Sequence, residues 1–166
     1  MVRRYSARVL AAVAVILVIL APLSNLAAQP PAGADTAGVR RAALDYLEGF
    51  YEGDTAKFVR SVAPTVLKLG YRPAPDSTGR YEGGTMTFAD FLSHARRTKA
   101  RNALAPATAP KEVTVYDIQD QTASVKVRAS WGIDYLLLAR QEGRWRITHV
   151  LWQTAPRRAS IAGNKP

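Results

Sequence analysis

The sequence predicts an α+β domain in which three N-terminal helices pack on one face of a curved antiparallel sheet. Apolar residues recur every three or four positions in three stretches between residues 39 and 99, which is the pattern of amphipathic helices. From residue 111 onward apolar and polar residues alternate instead, as in half-buried strands. Two apolar runs, 133–139 and 145–152, flank Gly143 and predict a β-hairpin. Helices followed by a strand meander are the element order of an α+β fold.

The predicted helices have recognisable ends. Gly53 suits the left-handed position that follows a helix, and Asp54 can cap the start of the next one. Thr87 and Asp90 approximate a capping box at the start of the third helix. On this third helix, His94 is expected to face solvent. The predicted helices cover residues 39 to about 51, 55 to about 63, and 88 to about 99.

The strand pattern predicts which side chains face the core. In the last strand Trp145, Ile147, His149 and Leu151 share one face by the period of two, so we expect His149 to lie among core residues. The predicted strands cover residues 67–71, 80–86, 111–118, 123–131, 133–139 and 145–152.

The N-terminus has the pattern of a secretory signal peptide. Arginines precede an apolar run over residues 9–23, and residues 24–28 offer a cleavage site near Ala27 or Ala28. The run is shorter than the roughly 20 residues that a spanning helix needs, so we expect export to the periplasm or beyond with no stable membrane span after cleavage. The chain then divides into a signal peptide (1–28), a flexible linker (29–38), a domain (39–155) and a basic tail (156–166).

Composition excludes several classes of site. The 166 residues include no cysteine, which rules out disulfides, thiolate metal sites and a cysteine nucleophile. The net charge of +10 is spread along the chain, and export together with the lack of an aromatic-interleaved basic motif argues against nucleic acid as a partner. No glycine-rich phosphate loop precedes a helix, and the two histidines are far apart in sequence. We therefore predict neither a cofactor nor a metal.

The element order and three segments resemble the nuclear-transport-factor-two-like superfamily, a cone-shaped α+β fold shared with ketosteroid isomerase and polyketide cyclases. Within it the chain is most similar to the bacterial branch described as putative lumazine-binding. The resemblance spans residues 39–154 and implies the same cone-shaped fold here. The segments are Asp45–Asp54 (DYLEGFYEGD), Glu112–Val127 (EVTVYDIQDQTASVKV) and Ile133–Gln153 (IDYLLLARQEGRWRITHVLWQ).

Functional residues of these relatives are only partly present. By the resemblance, Tyr46 stands where ketosteroid isomerases have the tyrosine that donates to the developing oxyanion, and Asp134 matches their second, protonated acid. Their general-base aspartate falls near Gly70, which leaves enolisation without a proton acceptor. The His-Pro-Asp that putative lumazine-binding relatives often show after the second helix is replaced by residues 63–65, Ala-Pro-Thr.

These residues favour a non-catalytic exported domain that binds a small apolar or aromatic ligand in a conical pocket. Tyr46, Asp134 and His149 would orient the ligand. The residues predicted to bind it are Tyr46, Phe50, Tyr71, Asp134, Trp145, His149 and Trp152.

Two alternatives stay open. In the first, the chain is an isomerase-type or cyclase-type enzyme with His149 as base and with Tyr46 and Asp134 as hydrogen-bond donors, because an imidazole titrates near physiological pH. In the second, it is a structural or partner-binding module that forms a homodimer through the open face of the sheet.

Overall fold

The structure is a computed structural model that describes residues 32–76 and 79–155. The predicted signal peptide and basic tail lie outside these ranges, as does the first part of the predicted linker. None of the helices within the described ranges combines the length and the apolar character needed to cross a membrane.

Three helices are present: α1 (Ala32–Glu52), α2 (Thr55–Ser61) and α3 (Phe88–Ala100). Helix α1 begins well before the predicted Val39, so the part of residues 29–38 that the structure describes is helical rather than a flexible linker. A contact remote in sequence explains the extension, because the Asp35 carboxylate in the first turn pairs with Arg140 of the sheet. The predicted capping box of Thr87 and Asp90 at α3 is confirmed.

Six strands form one sheet in the order β2-β1-β6-β5-β4-β3. All neighbouring strands pair antiparallel except β1 and β6, which are parallel. Parallel strands need a long crossover connection, and the whole chain between β1 and β6 provides it. The helices followed by a curved, unclosed sheet confirm the predicted α+β fold. The strands are β1 (Val62–Pro73), β2 (Tyr81–Met86), β3 (Glu112–Ile118), β4 (Thr122–Ala129), β5 (Gly132–Gln141) and β6 (Arg144–Thr154).

The core lies between the helices and one face of the sheet, which we call the inner face. Its helical side is an aromatic cluster in which Phe50 and Phe58 approach edge to face at 4.8 Å between ring centroids. Phe91 of α3 packs at 5.2 Å from Phe58. From the sheet, alternate residues of β4 and β5 complete the core, among them Val125, Val127, Leu136 and Leu138.

A β-bulge in β6 reverses the predicted orientation of His149. Leu138 pairs with Ile147 and Leu137 pairs with His149, so Thr148 is an extra residue on β6. Beyond the bulge the alternation changes phase: Val150 is buried and His149 is exposed. The prediction that His149 shares the core face with Trp145 and Ile147 is therefore wrong.

Between residues 67 and 71, strand β1 presents its apolar side chains outward and its lysine inward. Lys68 and Gly70 are buried, whereas Leu67, Leu69 and Tyr71 are exposed on the outer face of the sheet. The Lys68 side chain thus lies on the inner face, whereas the leucines before and after it in sequence lie on the outer face.

A pair of substitutions on either side of the bulge tests the phase of β6. We expect His149→Ala to change the free energy of unfolding by less than about 0.5 kcal/mol, because an exposed side chain is removed. Val150→Ala should cost about 2 kcal/mol, because a buried side chain is truncated. Urea unfolding of both variants measures the difference, and a larger loss for His149→Ala would contradict the bulge.

Candidate functional site

A cavity of about 430 Å³ opens between α1, α3 and the inner face of the sheet. Aromatic rings of Phe50, Trp131 and Trp152 form much of its wall, and residues 103–106 border it. Lys68 is the charged residue that lines it. Another surface cavity, of about 640 Å³, lies between α1, α2 and the β5–β6 hairpin, and its lining is dominated by charged residues that already pair with one another. The aromatic cavity is the better candidate for a ligand site.

Lys68, Tyr46 and Asp134 form a hydrogen-bonded cluster in the core beside this cavity. Lys68 Nζ donates to Tyr46 Oη at 2.7 Å, and the Tyr46 hydroxyl donates to Asp134 Oδ2. Lys68 Nζ also lies 3.7 Å from the same carboxylate oxygen. The other oxygen, Oδ1, accepts from Trp131 Nε1 at 2.8 Å. The cluster joins α1, β1, β5 and the turn before β5.

Burial determines the protonation of this cluster. The Lys68 side chain is 4% exposed and that of Asp134 is 0% exposed. Burial lowers the pKa of Lys68 to about 8, against the opposing effect of the Asp134 carboxylate. Burial, followed by the charge of Asp134 and its hydrogen bond, raises the pKa of Tyr46 well above its ordinary value. Tyr46 therefore remains a phenol and keeps donating to Asp134.

Aromatic rings surround the Lys68 ammonium. Its Nζ lies 4.6 Å from the centroid of Phe50, 5.3 Å from that of Phe91 and 5.6 Å from that of Trp152. Ring faces attract a cation at such distances and replace part of the hydration that it loses. A cationic group at this point is thus held by both a carboxylate and π-systems.

Gly70 allows the Trp152 indole to form the cavity wall. The two residues are paired across β1 and β6, and a Cβ atom built on Gly70 would overlap the Trp152 ring. In the resemblance to ketosteroid isomerases, this is the position of the general-base aspartate. Here the indole occupies the space that such a side chain would need, so no base can stand at this position.

His94 of α3 lies at the cavity and not, as expected, in solvent. Its ring is half-buried and meets Phe50 edge to face at 5.2 Å between centroids. Burial lowers the pKa of His94, and the positive charges of Arg97 and Lys68 lower it further. A neutral imidazole is therefore favoured beside the lysine.

The structure brings four of the predicted site residues together and separates the other three. Tyr46, Asp134, Phe50 and Trp152 lie in the cluster or line the cavity. Tyr71 and His149 are exposed on the outer face. Trp145 packs between Gly38 and Arg140 and lines the charged cavity instead. The predicted set of Tyr46, Asp134 and His149 thus does not converge.

Sequence reasoning missed Lys68, Trp131 and the inward position of His94. Lys68 alternates with leucines, so hydrophobicity alone places it on the solvent side of β1. Gly70, two residues later on the same face, was the available signal, since glycine in a strand often marks a close approach by another group.

No metal site is assembled in the described ranges, where no three side chains of histidine, cysteine, aspartate or glutamate converge. The ionisable groups that line the cavity are the Lys68 amine, the His94 imidazole and the Tyr51 phenol. This lining includes no carboxylate and suits an organic ligand better than a metal cation.

Solved structures share this architecture. A nuclear-transport-factor-two-like protein of unknown function from Silicibacter pomeroyi is 17% identical and gives a TM-score of 0.56 over 74% of this chain and 98% of its own. One from Methylobacillus flagellatus, also of unknown function, is 15% identical with a TM-score of 0.57 over 76% and 97%. These likenesses show the fold alone, which is nuclear-transport-factor-two-like.

The family can be stated more closely. The family described as putative lumazine-binding matches residues 34–153, and the chain belongs to it. This confirms the resemblance seen in the sequence. No curated protein matches the chain significantly.

Two glycine substitutions test how the cavity wall is built. Gly70→Ala should lower the free energy of unfolding by about 2 kcal/mol and shift the tryptophan emission, because the added methyl group must displace Trp152. Gly84→Ala in β2 is the matched control, since nothing lies within 4 Å of its added Cβ. Its effect should stay within about 0.5 kcal/mol. Equal effects in urea unfolding would show that Trp152 does not cover Gly70.

Proposed function

We propose that this domain binds a small, largely apolar, ring-containing molecule in the aromatic cavity and does not catalyse a reaction on it. The cavity of about 430 Å³ carries this proposal. Ordinary ligand pockets have volumes of roughly 300–1,000 Å³, mostly apolar walls and a few well-placed polar groups. Aromatic walls with Lys68 at their base fit that description.

The polar groups support binding better than proton transfer. An enolising isomerase needs a base and an oxyanion donor around one reacting centre. The Tyr46 hydroxyl already donates to Asp134, and Trp152 covers the position of the base. His149, the alternative base, lies on the opposite face of the sheet.

Membership of a family described as putative lumazine-binding makes a pteridine the first ligand class to test. A flat bicyclic ring matches walls made of Phe50, Trp131 and Trp152, on which it can stack. We further propose that the ligand is met outside the cytoplasm, because residues 1–28 have the pattern of a signal peptide. The mass of the chain purified from its host tests this, since an intact N-terminus would exclude cleavage.

Filling the cavity with a large side chain should weaken ligand binding. We expect lumazine or 2-naphthalenemethanol to quench the tryptophan fluorescence of the wild type, because Trp131 and Trp152 line the site. Ala105→Trp places a large side chain in the cavity and should weaken binding at least about tenfold. Val59→Trp is the control, because Val59 is exposed on α2 away from the cavity. If the wild type binds neither probe, or if Ala105→Trp binds as tightly as Val59→Trp, the proposal is wrong.

The outer face of the sheet favours a second role, the formation of a homodimer. The adjacent strands β1, β6 and β5 carry large apolar side chains side by side on this face. In a monomer these side chains are exposed to water. A second copy presenting the same face would cover them, as in an isologous interface. They are Leu67, Leu69, Tyr71, Tyr135, Leu137 and Leu151.

A charge in this patch should weaken the dimer. Leu137 and Val59 are 52% and 53% exposed, so Leu137→Glu and Val59→Glu remove similar apolar groups from the surface. We expect Leu137→Glu to raise the dimer dissociation constant at least about tenfold and Val59→Glu to leave it unchanged. Sedimentation equilibrium measures both, and a wild type that stays monomeric at every concentration would exclude this role.

A further inference from the structure

Lys68 differs in its surroundings from the other lysines that the structure describes. Its amino group is the polar end of a cavity with aromatic walls, and it is held in place by Tyr46. Lys99, by contrast, is exposed on α3. An amine in an apolar pocket reacts readily with carbonyl compounds, because burial disfavours its protonated, unreactive form.

We propose that Lys68 captures its ligand covalently, as a reversible imine with an aldehyde or ketone that carries an apolar or aromatic body. This inference rests on the proposed function, because the ligand must first occupy the cavity. The ligand is then a carbonyl compound, and Lys68 Nζ is the atom to which it attaches.

The cluster supplies the proton transfers that the reaction needs. The Lys68 ammonium passes one proton through the Tyr46 hydroxyl to Asp134, along the donor order Lys68 to Tyr46 to Asp134 that the hydrogen bonds show. The freed lone pair of Nζ forms a bond to the carbonyl carbon, and the C=O π electrons move to oxygen.

The remaining steps balance without another reactant. The attacking nitrogen then loses a second proton, which moves to the negatively charged oxygen and gives a neutral carbinolamine. Asp134 returns its proton through Tyr46 to that hydroxyl group, which leaves as water while the nitrogen lone pair forms the C=N bond. The net change is an ammonium and a carbonyl giving a protonated imine and water, so no oxidant or reductant is needed.

The site also suits the product. The protonated imine keeps one positive charge where the ammonium had it, 3.7 Å from Asp134 Oδ2 and 4.6 Å from the centroid of Phe50. The carboxylate and the rings therefore stabilise the adduct as they stabilise the free lysine.

The reactivity of Lys68 should stand out near neutral pH. With a pKa of about 8, about a tenth of Lys68 is an uncharged amine at pH 7, against on the order of one part in three thousand for a lysine at its ordinary 10.5. Part of this advantage is offset because a less basic amine is a weaker nucleophile. We expect Lys68 to be labelled at least about tenfold faster than Lys99.

Reductive trapping tests the inference. The full chain is mixed with 2-naphthaldehyde and sodium cyanoborohydride at pH 7, and the adduct is located by intact mass and peptide mapping. The expected result is that Lys68 is the lysine labelled first, with an adduct that adds the mass of the aldehyde minus one oxygen atom. The α-amino group also reacts at this pH, and peptide mapping separates its adduct from that of Lys68. Lys68→Arg, which keeps the charge but not the nucleophile, and Lys68→Met should lose the Lys68 adduct, and Lys99→Met should keep it.

The alcohol 2-naphthalenemethanol separates this inference from the proposed function. If the wild type binds the alcohol but the aldehyde labels Lys68 no faster than Lys99, the imine is excluded and the binding role stands. If neither compound binds or reacts, both fail. Mapping of the wild type decides the matter even where a Lys68 variant does not fold.

Discussion

The burial of one ammonium group constrains the arrangement of the inner layer. Moving the Lys68 charge out of water is costly, and a buried cation persists only where a counter-charge and hydrogen-bond partners are fixed beside it. Asp134, Tyr46 and the surrounding rings meet that requirement. Because Tyr46, Lys68 and Asp134 come from three different elements, the cluster fixes how α1, β1 and β5 are placed relative to one another.

The same constraint makes the cluster act as a unit. Asp134 accepts from Tyr46 and Trp131 and faces Lys68, so removal of one partner leaves another buried polar group unsatisfied. Breaking a buried pair in this way typically costs about 3–5 kcal/mol, more than replacing both partners by apolar groups. The cluster therefore costs the fold some stability, and it holds a fixed charge beside the cavity.

The shape of the cavity depends on a residue with no side chain. β1 and β5 both pair with β6, and Trp152 of β6 is opposite Gly70 on one side and Asp134 on the other. Only the missing side chain at Gly70 lets the indole lie over β1. The glycine thus sets the wall of the cavity and also removes the position from which relatives of this fold place a carboxylate base.

The periodicity of the sequence predicted the types of the elements and most of their bounds, and the resemblance predicted that Tyr46 and Asp134 belong to one site. The phase of β1 and β6 could not be predicted this way. A period-of-two pattern assigns the apolar residues Leu67 and Leu69 to the core, but here the outer face is apolar too, and a paired lysine points inward. In β6 the bulge at Thr148 shifts the phase, and a single inserted residue leaves no compositional signal.

These phase reversals decide what chemistry the cavity offers. With His149 turned outward and the Tyr46 proton donated to Asp134, neither group is free in the unreacted site to serve as base or as oxyanion donor to a ligand. An ammonium has three donors and spends one on Tyr46, so Lys68 is the group of the cluster that retains capacity toward the cavity. Enzymes of this fold place a carboxylate against the substrate, whereas this chain presents an amine. The candidate ligands to test are therefore molecules that an amine can hold, through an electron-rich oxygen or an electrophilic carbon.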